Sequence, residues 1–115
     1  MACDEAHPVE VYAIAEVCWC EARGEDVEGQ VAIVDAIRNR ASWKNEGLWN
    51  ATRRRMCNRG RIDPKLVELV AVVLREPVSH PYRHWLNPAT ATDMDWLKYA
   101  LTRNGKMVGR HLFFN

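Results

Sequence analysis

The chain predicts an α+β fold, mainly α, in which helices carry the core and a short β-hairpin completes a single domain over residues 1–115. Three observations predict it. A length of 115 residues suffices for one modest core but not for two. Three segments before Pro77 repeat apolar residues at helical spacing between recognisable start and stop signals. After Pro77 the composition shifts to prolines, aromatics and glycines around two short β-prone runs. Hydrophobic residues at 48% and charged residues at 27% describe a globular chain, not a disordered one.

The first helix is predicted from about Pro8 to Arg23, with proline at the first helical position and Gly24 as a left-handed stop. Val9, Ala13, Val17, Cys20 and Glu21 share one side, which puts Glu21 at the end of the buried stripe. Glu10, Glu16 and Glu21 break its hydropathy, so it is no membrane span. Asp26 caps a second helix reaching about Arg40, whose apolar face is Val27, Val31, Val34 and Ile37. Between them, Gly24 to Asp26 form a tight corner.

Residues 41–60 lack periodicity and read as an ordered loop holding one helical turn. Asp63-Pro64 then starts a third helix that ends before Pro77. Its run from Leu66 to Leu74 is apolar nearly all round, which predicts the central, buried helix. An aromatic loop follows with one strand over Arg83–Asn87, then a short helix capped by Asp93 and ending at Leu101. Gly105 and Gly109 bracket a turn into a last strand, Arg110–Phe114.

Net charge is only +1, but residues 1–30 hold eight acids against Arg23 alone. The remainder carries fifteen Lys and Arg against seven acids, and such a basic face attracts polyanions, whether nucleic acid or an anionic wall. Six of those cations fall in Arg53–Lys65. Cys3, Cys18, Cys20 and Cys57 lack the CxxC and HxxxH spacings of a zinc site and read as small buried thiols. The segment Met1–Pro8 has neither the basic nor the apolar part of a secretory leader, so synthesis in the cytosol is expected.

Glu21 is the candidate for chemistry. A carboxyl at a helix end, half-stripped of water, suits a general acid for cleaving a sugar–sugar bond. Glu25, four residues on, would share its face if the helix continued through Gly24; otherwise it is an acid near the N-terminus of the second helix. Tyr82, Trp85 and Trp96 are either stacking platforms for sugar rings or core aromatics. His84 and His111 read more readily as hydrogen-bonded structural histidines than as bases.

The run Ala15-Glu16-Val17-Cys18-Trp19-Cys20-Glu21-Ala22-Arg23-Gly24-Glu25, continued by Glu28-Gly29-Gln30-Val31-Ala32 and closed by Ile37-Arg38-Asn39-Arg40, resembles the SleB-like cell-wall hydrolases. These are catalytic domains of spore-cortex-lytic enzymes and of some phage endolysins. Trp85-Leu86-Asn87-Pro88-Ala89-Thr90-Ala91, Trp96 and Val108-Gly109-Arg110-His111-Leu112-Phe113-Phe114 fit the same pattern, so the resemblance spans residues 9–114. Cys20 before the acid and Leu86 in the aromatic loop depart from it.

The resemblance implies a small lysozyme-like (lytic transglycosylase-like) domain that cuts peptidoglycan glycan strands with Glu21 as the single catalytic acid. Glu25, Gln30, Tyr82, Trp85, Asn87 and His111 are its expected substrate-binding residues. No metal or cofactor is implied, and a monomer without nucleic-acid partner or stable membrane insertion is expected. With no leader visible, the resemblance points to an endolysin released through a holin. Two alternatives stay open: a helical nucleic-acid-binding protein using the 53–65 loop, and a peptidoglycan-binding module with a dead site.

Overall fold

The computed structural model describes residues 8–53 and 62–115. In order these form α1 (Pro8–Ala22), α2 (Val27–Lys44), α3 (Leu48–Thr52), α4 (Pro64–Val73), β1 (His84–Leu86), α5 (Met94–Leu101), β2 (Lys106–Val108) and β3 (His111–Phe114). The main core lies where α1, α2 and α4 meet the inner face of the sheet, around Ile14, Val17, Ile33, Ile37, Val70 and Phe113. A smaller core of Leu86, Leu112, Phe114 and Ala100 fills the space between the outer face and α5.

The caps behave as their residue types require. Asp26 accepts the Gly29 N–H at 3.0 Å, Asp63 the Lys65 N–H at 2.9 Å, and Asp93 the Trp96 N–H at 3.0 Å. α2 runs one turn beyond its expected end at Arg40. Asn45, in the left-handed region at φ 53°, terminates it and donates its N–H to Ala41 and Ser42 carbonyls. The helical turn expected between residues 41 and 60 is α3, whose Thr52 hydroxyl donates to the Leu48 carbonyl at 2.8 Å.

The central helix is α1, not α4. Every residue from Ala13 to Cys18 is buried in α1, and the small ones among them, Ala13, Ala15 and Cys18, let α2, α3 and α4 all close on it. On α4 only Leu66, Val70 and Val73 are buried, and Val72 is exposed. Gly24 is not the left-handed stop expected of it; Gly109 is the glycine with positive φ among the described residues.

The sheet is antiparallel, in the order β1-β3-β2, with one strand more than expected. The span between Gly105 and Gly109 is itself strand β2, and the turn is the pair Gly109-Arg110, since Val108 faces His111 across it. Gly109 at φ 59°, first in a two-residue connection, fits a II′ hairpin turn. β3 is buried on both faces: His111 and Phe113 look toward α2, Leu112 and Phe114 toward α5.

Candidate active site

The corner between α1 and α2 is held by a carboxylate. The Glu25 N–H closes the end of α1 on the Ala22 carbonyl at 3.0 Å. The Glu25 side chain then turns to the β2–β3 hairpin, where Oε1 accepts the Arg110 backbone N–H at 2.9 Å. His111 Nδ1 lies 3.2 Å from the same oxygen, at ion-pair distance but off the line of a hydrogen bond. Both side chains are nearly buried, at 8% and 6% exposure for Glu25 and His111.

Two glycines shape this seat. A Cβ on Gly29 would stand 2.9 Å from Glu25 Cβ, and one on Gly109 would strike the Glu25 carboxylate. Glu25 therefore joins residues 85 positions apart into one rigid corner.

Glu21 is exposed on the last turn of α1, and its carboxylate makes no hydrogen bond or ion pair with another described residue. The shelter expected from the apolar stripe is absent. Val17 and Cys18 beneath Glu21 are fully buried, but the helix ends at Ala22 and no later turn folds over the carboxylate. Neither cavity described here is lined by Glu21. Both border the first turns of α2. One, of about 510 Å³, opens between Trp19, Arg23, Val27 and Gln30 on one side and Leu66 and Leu69 of α4 on the other. The second, of about 220 Å³, lies between Glu28 and Val31 of α2 and Tyr82, Lys106 and Val108.

The other expected site residues divide between these surroundings. Gln30 lines the larger cavity and Tyr82 the smaller. Asn87 leaves β1 at the end of the sheet that carries His111, and its Oδ1 accepts the Ala89 N–H at 3.0 Å, shaping the loop that follows. Trp85 is 7% exposed in the main core. Trp96 is on the other side of the sheet, stacked on Tyr99 with ring centroids 5.5 Å apart.

Sequence reasoning missed the polar spine of α2. Asp35, 1% exposed, accepts from Arg38 at 3.0 Å and from the Ser79 backbone and hydroxyl at 2.9 and 2.7 Å. Arg38 also donates to the Val73 and Glu76 carbonyls, and Asn39 to those of His80 and Tyr82, at 2.8–3.2 Å. These bonds pin residues 73–82, and hence Tyr82, against α2. The signal was present as three polar residues at i, i+3 and i+4, Asp35, Arg38 and Asn39, beside the apolar face of α2.

Among the cysteines, Cys18 is a free thiol pushed up to about 12 by burial, hence inert. Cys20 is disulfide-bonded, which corrects the expectation of buried thiols throughout; its partner lies outside the described residues, as do Cys3 and Cys57. Most of the basic 53–65 loop, residues 54–61, also lies outside them.

No protein-family model matches the chain, and neither does any curated protein. Two solved structures do. The catalytic domain of the Bacillus cereus SleB protein superposes with a TM-score of 0.69 at 24% identity, over 92% of this chain and 89% of its own. The catalytic domain of the germination-specific lytic transglycosylase SleB from Bacillus anthracis does so with a TM-score of 0.71 at 21% identity, over 97% and 98%. The likeness is one of fold: a mainly helical domain with a small three-stranded sheet.

Proposed function

We propose that this domain, built on the fold of SleB catalytic domains, cuts peptidoglycan between N-acetylmuramic acid and N-acetylglucosamine by a lytic transglycosylase route. The observation that carries the reading is the division of roles at the α1–α2 corner. Of two carboxylates four residues apart, Glu25 is committed to the hairpin and Glu21 is left exposed at the end of α1.

Glu21 donates its proton to the glycosidic oxygen as the bond to the muramic C1 breaks. The substrate's own acetamido group stabilises the cation. The carboxylate then takes the proton of the 6-hydroxyl as that oxygen closes on C1, leaving a 1,6-anhydro sugar and a regenerated acid. No water is consumed, and no metal or cofactor enters. A retaining hydrolase would need a second carboxylate about 5 Å away, and an inverting one about 6.5–9.5 Å away. The nearest in sequence, Glu25, already spends its oxygen on Arg110.

Since the free domain leaves Glu21 in water, the glycan strand itself supplies the apolar cover that a proton donor needs. Gln30 and Tyr82, on cavity walls either side of the first turns of α2, and the loop after Asn87 bound its path. Trp85 and His111, being buried, serve binding from beneath, as supports of that loop and of the corner. We place the activity in host lysis, as an endolysin released through a holin. A Cys20 disulfide belongs to the oxidising side of that release.

Glu21→Gln keeps the shape and removes the titrating proton. Clearing of purified walls by the variant is expected to fall by at least about 10³-fold with unfolding temperature unchanged. Clearing near the parental rate overturns the assignment. Mass spectrometry of the released muropeptides decides the route, anhydro products being lighter by one water than hydrolytic ones.

A further inference from the structure

At the end of the sheet opposite the Gly109 turn, β1, α5 and the last turn of α2 bring four rings into a row. Trp43 meets His84 edge-on at 5.8 Å, His84 meets Trp96 edge-on at 5.3 Å, and Trp96 stacks on Tyr99 at 5.5 Å. Arginines finish both ends: the Arg83 guanidinium lies 4.1 Å over Trp43 and that of Arg103 5.2 Å over Tyr99. Trp43, Trp96 and Tyr99 remain 56%, 37% and 43% exposed, more than a row serving only as core would leave open.

The row is also cationic. Burial, joined by Arg40, Arg83 and Lys44, pushes the His84 imidazole down to about 4, so the ring is neutral while three cations act on it. Of the acids nearby, Asp95 is exposed in the first turn of α5, and two others have other tasks. Glu46 acts on Arg40, and the Asp93 side chain caps α5. Arg83 Nε is buried and has no acceptor among the described residues. At the other end Arg103 Nε donates to the Asn115 O at 3.0 Å, so the open demand for an anion lies at the Arg83 end of the row.

We propose that this row is a second binding site, for a polymer of sugar or polyol units joined by phosphodiesters. Arginine forks suit phosphate oxygens, and the outer ring faces suit the C–H faces of sugars or polyols. The alternative polyanion, single-stranded nucleic acid, needs faces on which successive bases stack. Here the one parallel pair, Trp96 and Tyr99 at 7°, is stacked on itself, and the other rings meet edge-on at 81° and 82°, so the row offers single outer faces rather than a series of parallel faces for successive bases. The site is separate from the Glu21 corner: β1 puts His84 opposite Phe114, whereas the corner grips β3 at His111.

The test is calorimetric titration of the purified chain with polyglycerol phosphate, beside neutral chitin oligosaccharide and oligothymidylate. Polyglycerol phosphate is expected to bind, with log affinity falling linearly against log salt. Trp43→Ala and Arg83→Gln should each weaken it about tenfold or more, corresponding to the loss of roughly 1.4 kcal/mol. Lys44→Gln, on an exposed side chain, should weaken it about threefold and carries the test should the other variants fold poorly. Cleavage of polymer-free peptidoglycan by these variants stays at the parental rate, so the outcome is read apart from the Glu21 chemistry. No binding at low salt, unchanged affinity in all three variants, or tighter binding of oligothymidylate overturns the proposal.

Discussion

Two glutamates of one short segment meet opposite fates, and the difference lies in backbone direction. Glu21 is still on α1 when the helix ends, so its side chain points where no further turn can cover it. Glu25 comes after the chain has bent, and it finds the Arg110 N–H and His111. Removing that acceptor in Glu25→Ala leaves the Arg110 N–H without its partner and the nearly buried His111 imidazole facing a void. A stability loss of about 1.5–3 kcal/mol is expected, measured by denaturant unfolding. His84 gives a prediction in pH. It protonates near 6.5 in the unfolded chain but only at about 4 in the fold, because burial and Arg40, Arg83 and Lys44 oppose the charge. Between those values the unfolded state binds the extra proton, so stability falls as pH drops through that window. His84→Gln should flatten that part of the melting temperature–pH curve. Of these residues only Glu21 was marked out as a candidate by its motif. The locking of Glu25 depends on a hairpin 85 residues away, which spacing along the chain does not reveal.

Secondary structure was most legible where local chemistry decides it. Asp26, Asp63 and Asp93 cap helices because a side-chain oxygen can reach N–H groups two or three residues ahead, a purely local matter. β2 was missed because Lys106-Met107-Val108 has no strong strand composition of its own. Its two exposed residues become a strand by pairing with β3. The exchange of roles between α1 and α4 has a similar origin. Apolar content marked α4 as central, but the small residues of α1 admit three neighbours at close range. Asp35 carries the prediction at this scale. Asp35→Ala leaves Arg38 and the Ser79 N–H without their buried acceptor and frees the 73–82 segment. A loss of about 3 kcal/mol is expected, which lowers the melting temperature of a domain this size by roughly 10 °C or more in a calorimetric scan.

Across the molecule, the α+β class and near-complete likeness to SleB catalytic domains agree with what the order of motifs implied. The cavities were not legible, since each is walled by segments that meet only in three dimensions, α2 with α4 in one and α2 with the sheet in the other. Charge asymmetry was legible as composition but not as place: the cations that gather at the ring row come from α2 and the β1 region. β3 joins these parts. His111, at one tip, belongs to the Glu25 corner, and Phe114, at the other, packs against His84, Trp96 and Tyr99. Three strand steps of about 3.4 Å separate them, so roughly 10 Å of stiff backbone sets the gap. That makes the central strand a ruler: the ring row at one tip and the Glu25–His111 corner at the other stand at a distance that cannot drift.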